Sequence, residues 1–459
     1  MDRTAWILGI VLLIVGLAIG YFAAGPGAAK TVTQTVTQTV TQTVTQTATV
    51  PTVTTPPAKE IVVKVGVLLP LSGDSALIGQ EDLRGIQLAA LHINQSKYEN
   101  IKFKIKLIIA DTQTKQDVGV TELRRLDQEG VAAVLGAYNS AVTYPTAGEA
   151  EKIGLPYVDP EAIADRITAQ GWKYVFRTCA NASKYGYDAV WALYDMAKAK
   201  GVQIKTVAYI YENSDFGVFT ISGVNKTLRE FFPDAKVVYE ESYPAGQVTS
   251  MDDMVAKLKA ANPDVVFHVA YLNDAVLFVR TMKKLGWYPK VAYMGVGAAG
   301  QARQEFIDQL GKDADYVFTD TEWQPDFLTS KSLAKWAWIN EDFKRIYGRD
   351  MVGSSALNYA GAYALAVAIQ KALDSGANPN DLVSFRRAIR DALESLKIPA
   401  GELPLMPWGV DFTKAPNHQN PEAAVAMAQI LEGKFRIVWP LEFAPVEPVL
   451  PAPNWGSRS

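Results

Sequence analysis

Short apolar runs alternate with longer amphipathic runs from Ile61 onward, and this alternation is the strongest constraint on the fold. Eight runs rich in Val, Ile, Tyr and Phe have the composition of strands: 61–69, 103–110, 131–135, 206–211, 236–241, 264–270, 290–294 and 316–319. Helices are predicted between them at 79–95, 115–129, 141–153, 183–200, 217–231, 250–261 and 274–285. Strand–helix alternation predicts an α/β fold with parallel sheets and helices on both faces. The nearly continuous apolar strands agree with this, because parallel strands are buried on both sides.

Eight strands suit two lobes better than one large sheet, and about 400 residues are enough for two domains. In open α/β sheets, ligands bind beyond the carboxyl ends of the strands. The loops at those ends are 69–79, 136–140, 159–164, 211–217, 270–273, 294–300 and 320–325. If two lobes face each other, these loops line one shared cleft.

The residues before the strands have a different composition. After a short end (residues 1–5), residues 6–24 form an uncharged apolar run from Trp6 to Ala24. As a helix this run would be about 28 Å long, close to the hydrocarbon thickness of a bilayer. It predicts a transmembrane anchor, and a signal peptide cleaved near Gly25 is the alternative. Residues 25–59 carry four TVTQ repeats and a Thr/Pro stretch, which predict a disordered stalk holding the body at the cell surface.

Composition excludes several classes of function. The chain has 45 basic and 48 acidic residues without a basic run, which argues against a nucleic-acid partner. Cys179 is the only cysteine, so no disulfide can form within the chain. The three histidines (His92, His268 and His418) lack metal-ligand spacing, and no metal site is predicted.

Several segments, in their order and spacing, carry a resemblance to a known family. The opening VKVGVLLPLSGDSALIGQ (63–80) continues to residue 94, and the further segments are 136–160, 176–190, 207–219, 264–286 and 429–440. Together they resemble the branched-chain amino-acid (Leu/Ile/Val) receptor family, the type I solute-binding proteins of ABC transporters. The resemblance covers residues 61 to about 451.

The resemblance implies two Rossmann-like lobes connected by three passages of the chain, the type I periplasmic-binding-protein fold. The passages correspond to residues 178–181, 319–323 and 403–406. Lobe one would then comprise 60–178 and 322–403, and lobe two 179–321 and 404–459. Such a hinge lets the lobes close over a small molecule.

The resemblance also implies ligand contacts. Ser140 stands where the family has a serine that meets the ligand carboxylate, and Tyr271 matches a tyrosine of the second lobe. An ordinary helix cap is the alternative for Ser140, and ligand contact is favoured because a helix N-terminus suits an anion. The backbone near Ala162 is expected to help hold an anionic group, and Phe216 and Trp323 are expected to form apolar walls.

Two departures put the amino-acid specificity in doubt. The family has small and hydroxyl residues after the loop proline, whereas this chain has Glu161, Ala162 and Ile163. The acidic residue that pairs with the ligand ammonium is replaced by Gly297. A buried charge without a partner costs several kcal/mol, roughly, so Glu161 is a candidate for the missing negative charge. A solvated loop carboxylate is the alternative for Glu161.

Sequence motifs that would indicate other functions are only weakly matched. Residues 295–300 fit G-x-G-x-x-G, followed by Asp320, but this nucleotide-binding pattern normally sits on the first strand of its sheet. No cofactor is therefore predicted. Asn94, Asn181 and Asn225 head glycosylation sequons. Hydrolase and protease signatures are absent from the sequence, and the chain is not expected to be an enzyme.

These patterns predict an extracellular solute-binding protein of an ABC importer. It would trap an amino acid or a related carboxylate or amide, with permease and ATPase subunits as partners. An extracellular hydrolase and a ligand-sensing ectodomain are the alternatives.

Overall fold

The computed structural model describes residues 60–415, 417–441 and 444–458. The predicted anchor (6–24) and stalk (25–59) lie outside these residues. Within the described part of the chain, none of the helices is long and apolar enough to cross a membrane.

The first sheet has five parallel strands in the order β2-β1-β3-β4-β5. The strands are β1 Val62–Leu69, β2 Lys104–Asp111, β3 Ala133–Gly136, β4 Tyr157–Asp159 and β5 Val175–Arg177. In β1 the buried Val65 pairs with Leu107 of β2 and Ala133 of β3, so this strand is flanked on both sides. The three strands predicted for this part of the chain are present. The three-residue strands β4 and β5 are too short to give a sequence signal.

The second sheet has seven strands in the order β14-β13-β10-β9-β8-β6-β7. The strands are β6 Thr206–Glu212, β7 Lys236–Tyr243, β8 Val265–Val269, β9 Ala292–Gly295, β10 Phe318–Thr321, β13 Ala426–Leu431 and β14 Lys434–Trp439. The strands from β6 to β10 are parallel, as predicted, whereas β13 and β14 add an antiparallel edge. The two-residue turn of that hairpin, Glu432 and Gly433, has positive φ at both positions, which suits the strand twist.

Helices cover the faces of both sheets. They are α1 Ala76–Asn94, α2 Gln116–Gln128, α3 Ser140–Ile153, α4 Ala182–Lys200, α5 Asp215–Phe231, α6 Asp252–Ala261, α7 Leu272–Lys284, α8 Gln304–Leu310, α9 Ala337–Tyr347, α10 Gly353–Asp374 and α11 Leu382–Glu394. The Ala-rich α10 is buried along most of its length and packs against α1. A Cβ at Gly85 of α1 would lie 2.1 Å from the Ser355 carbonyl oxygen, so only glycine permits this approach.

The chain passes from lobe one to lobe two between β5 and α4, and returns after β10 at Thr321. The third passage differs from the prediction at Leu403–Met406. Residues 397–398 (β11) and 410–411 (β12) pair with each other, and the backbone N–H of Asn420 donates to the Arg177 carbonyl of β5 at 2.9 Å. Residues up to Asn420 therefore stay with the first sheet, and the passage lies between Asn420 and Ala426. Two-residue strands leave no apolar run from which this boundary could be predicted.

Candidate ligand-binding site

A cavity lies between the two lobes at the carboxyl ends of their strands, where ligands bind in α/β sheets. The volume in it that water-sized molecules can occupy is about 30 Å³, and the wider empty space, part of it open to solvent, is about 520 Å³. Loops after β3 and β4 and the start of α10 line it from lobe one. Loops after β6, β8 and β9 line it from lobe two.

Six of the eight predicted site residues line this cavity: Ser140, Glu161, Ile163, Phe216, Tyr271 and Gly297. The structure thus brings together residues from five separate loops of the sequence. Their contacts with a ligand stay a prediction.

Ala162 and Trp323 do not line the cavity. The N–H of Ala162 donates to Asp159 Oδ1 at 2.7 Å, and its carbonyl accepts from Arg177 Nη1 at 3.0 Å. The N–H of Ala162 itself is therefore not free to hold an anion. Trp323 is fully buried in the hydrophobic core.

Ser140 is the first residue of α3, and its Oγ accepts the N–H of Ala164 at 3.1 Å. The hydroxyl therefore holds the loop after β4 against the helix start. Its own proton is still available to a ligand. The alternative of an ordinary helix cap is not found, because Asn139 holds the N-cap position and Ser140 bonds another loop instead of its own helix.

Three aromatic rings form a continuous wall across the cleft. The ring centroid of Tyr271 lies 5.1 Å from that of Phe216 and 6.1 Å from that of Tyr138. Tyr138 belongs to lobe one and the other two residues to lobe two. Tyr138 has a φ of 70°, and Ala298, which also lines the cavity, has a φ of 46°. Non-glycine residues in this region are uncommon and tend to cluster at binding sites.

An ion pair joins the lobes inside the cavity. Arg303, which precedes α8 in lobe two, donates from Nη2 to Glu161 Oε1 of lobe one at 3.2 Å and from Nη1 to Ser354 Oγ. Glu161 also accepts from Ser354 Oγ at 2.5 Å and from Asn358 Nδ2 at 2.8 Å. Glu161 is therefore a buried, fully bonded carboxylate and not a solvated loop end.

The acidic side chains near the pair of Arg303 and Glu161 carry less negative charge than their number implies. Burial, and then the charge of Glu161, raises the pKa of Asp82 on α1 well above its usual range. Burial raises the pKa of Glu322 to about 8, although the N–H of Ala180 donates to its Oε1 at 2.9 Å. Glu322 is thus mainly protonated at neutral pH, and the pKa of Asp82 is shifted in the same direction. What remains charged on the cavity wall is chiefly the pair of Arg303 and Glu161.

Gly297 leaves room for a neighbouring ring. It has a φ of 98°, and a Cβ there would lie 2.5 Å from Phe216 Cε2. Its N–H donates to Asp320 Oδ2 at 2.9 Å, and that of Ala298 donates to Asp320 Oδ1 at 2.5 Å. Asp320 thereby occupies amides that a nucleotide phosphate would need, which argues against the dinucleotide interpretation of residues 295–300.

Sequence reasoning missed Arg303, Tyr138 and Ser354. Tyr138 lies in a loop that the sequence assigned to the cleft, so only its identity was overlooked. Arg303 lies three residues beyond its predicted loop. Ser354 belongs to α10, which was not predicted, since a helix that is apolar on all sides has no amphipathic period.

Comparisons with known proteins agree with this architecture. The profile of the periplasmic binding protein family matches residues 62–434. Leu/Ile/Val-binding protein homolog 8 of Brucella abortus (strain 2308) is 31% identical over 384 residues, which cover 82% of this chain and 90% of the relative. Homolog 7 of Brucella melitensis is 31% identical over 390 residues, covering 82% and 91%.

Solved structures share the fold. A leucine-binding protein from Thermotoga maritima has a TM-score of 0.68 at 22% identity, covering 82% of this chain and 97% of its own. A solute-binding protein from R. palustris in complex with benzoate has a TM-score of 0.66 at 19% identity, covering 86% and 97%.

Two α/β lobes that enclose a small cavity between them define a solute-binding protein, which binds its solute without catalysing a reaction. This chain belongs to the periplasmic binding protein family, as a solute-binding protein of the Leu/Ile/Val-binding type found with ABC transporters. The resemblance predicted from the sequence is confirmed.

Proposed function

We propose that the protein captures a small carboxylate-bearing solute, an amino acid or a related acid, and delivers it to the permease of an ABC importer. The observation that carries the ligand class is the position of Arg303. It is the only arginine or lysine among the residues that line the cavity in the described part of the chain. A guanidinium binds a carboxylate through two parallel hydrogen bonds, which gives both strength and orientation.

The partners of Glu161 support this assignment. When Arg303 turns to a ligand carboxylate, Ser354 and Asn358 continue to bond Glu161, so its charge does not become an uncompensated one. An ammonium group on the ligand would take the place of the guanidinium beside Glu161. The pair therefore suits a zwitterionic amino acid and tolerates an acid without the ammonium.

The rest of the cavity suits a compact apolar group. Ile163 and Leu357 of lobe one and Phe216 of lobe two line the cavity. Because both lobes contribute to this wall, an apolar solute binds the closed form better than the open one. That difference in affinity drives closure.

A titration with four related probes tests the ligand class: leucine, isoleucine, 4-methylpentanoate, which lacks the ammonium, and leucinamide, which lacks the carboxylate. We expect calorimetric binding of the carboxylates and none of leucinamide. Arg303→Met should weaken that binding about a hundredfold, which corresponds to about 2.7 kcal/mol. Arg229→Met, at an exposed position of α5, is the matched control. Equal binding of leucinamide, or full affinity of Arg303→Met, would refute the proposal.

The topology is part of the proposal. Residues 6–24 would anchor the protein and residues 25–59 would hold the body at the cell surface, near the permease. N-terminal sequencing of protein recovered from membranes tests this, because a start near Gly25 means cleavage and excludes the anchor. Delivery is tested by uptake of the identified solute in cells that lack the receptor, which should fall to background.

A further inference from the structure

A second groove lies on lobe one at the opposite end from the ligand cavity. Aromatic rings of Tyr98, Trp336, Trp338 and Tyr363 line it, and it contains about 1070 Å³ of empty space including its open mouth. Tyr98 and its neighbours connect the end of α1 with the start of β2, at the amino edge of the first sheet, whereas the ligand cavity lies at the carboxyl edge. Nothing in the proposed transport function uses this groove.

The aromatic rings form one connected wall. The centroid of Tyr98 lies 4.7 Å from that of Tyr363, 6.3 Å from that of Trp338 and 6.4 Å from that of Trp336. Trp336 is fixed by its Nε1–H, which donates to the Gly401 carbonyl at 2.9 Å. Trp338 is packed against the buried His92 at 4.8 Å. The rings are therefore held in place before any ligand arrives.

The rim combines donors and acceptors. Glu99 and Glu341 accept no hydrogen bond and form no ion pair with any described residue, and both are exposed. The ammonium of Lys97 lies 5.7 Å from the Trp338 ring and has no carboxylate partner among the residues that the structure describes. Asn100 donates to the Tyr363 hydroxyl at 3.3 Å.

This mixture distinguishes between classes of ligand. An anion would meet the carboxylates of Glu99, Glu341 and Asp342, and an organic cation would meet the ammonium of Lys97 over the face of Trp338. A sugar is neutral, and each of its hydroxyls is both donor and acceptor, so it can use both kinds of rim group. Its apolar ring face matches an aromatic wall, as in other concave sites with a few convergent polar groups. We infer that this aromatic groove is a saccharide-binding site, separate from the transport cavity.

Three trisaccharides serve as probes for the full-length protein: cellotriose, maltotriose and chitotriose. We expect at least one to bind in calorimetric titrations, and Trp338→Ala to weaken that binding by about tenfold or more. Glu341→Ala changes only an exposed side chain and should weaken it severalfold, which keeps the test valid if Trp338→Ala folds poorly. Trp191→Ala, at an exposed tryptophan of α4 in the other lobe, should leave the affinity unchanged.

The ligand cavity is tested separately in the same titrations. Arg303→Met should keep the trisaccharide affinity while it loses the carboxylate solute, so that failure of one proposal does not imply failure of the other. Absence of binding by all three trisaccharides would overturn the inference. So would unchanged binding in both Trp338→Ala and Glu341→Ala, or binding of tetramethylammonium in the groove in place of the sugars.

Discussion

The buried carboxyl of Glu322 makes the stability of the protein dependent on pH. It follows β10 at the second passage between the lobes, and only 1% of its surface is exposed. Its Oε1 accepts the N–H of Ala180, whereas its Oε2 has no hydrogen-bond partner among the described groups. Burial raises its pKa from 4.5 to about 8, so the folded protein strongly prefers the protonated acid.

The sign and size of the effect follow from this difference. Because the pKa is higher in the folded than in the unfolded state, the stabilisation is complete below pH 4.5 and is lost as the pH rises through 8. Each pH unit between these values costs about 1.36 kcal/mol, which gives about 3 kcal/mol at pH 7 and an upper limit of about 5 kcal/mol above pH 8. Glu322→Gln resembles the protonated acid in shape and hydrogen bonding but cannot ionise. It should therefore be as stable as the wild type at pH 4 and more stable at pH 9.

Guanidinium unfolding at several pH values, with wild type and Glu322→Gln side by side, measures this difference. Glu230→Gln, on the exposed side of α5, is the control and should follow the wild type at every pH. A difference between wild type and Glu322→Gln that stays constant from pH 4 to pH 9 would refute the reasoning, since only an ionisable group produces the slope.

Three further predictions concern packing, the site and the hinge. Gly85→Ala should lower the free energy of unfolding by about 1–3 kcal/mol, because its Cβ overlaps the α10 backbone, and denaturant titration measures this. Ser140→Ala and Tyr271→Ala should each weaken leucine binding about tenfold in calorimetry, and if both keep full affinity the site assignment is wrong. Arg166→Ala removes an ion pair between the lobes, to Asp215, and should reduce the closed fraction while costing less than about 1 kcal/mol of stability. Small-angle scattering without ligand should then give a larger radius of gyration, and an unchanged radius would contradict this.

The sequence predicted the lobes well because buried parallel strands are recognisable from composition alone. All eight predicted strands and all seven predicted helices are present, within a few residues. Two kinds of missed element have a physical reason. The strands β4, β5, β11 and β12 are only two or three residues long, and α10 is apolar all round, so neither kind of element has a readable period. The six-residue strands β13 and β14 and the helices α9 and α11 were missed as well, although α11 is amphipathic.

The charged part of the site was harder to predict because its members become neighbours only through tertiary packing. Asp82 stands in the polar stretch Gln80-Glu81-Asp82, which has the composition of a solvent-facing helix turn. The packing of α10 on α1 buries it beside Glu161 instead. Likewise, Arg303 reaches Glu161 over 142 residues of chain, a separation that no local pattern encodes.

In the proposed binding mode, the contact between Arg303 and Glu161 competes with the charged groups of the ligand. A solute that binds both residues must separate two opposite charges at a buried position, and only a charged solute replaces the interaction that is lost. A neutral analogue of the same shape in that position would leave the arginine without an anion. The proposed site therefore discriminates against uncharged analogues without steric exclusion.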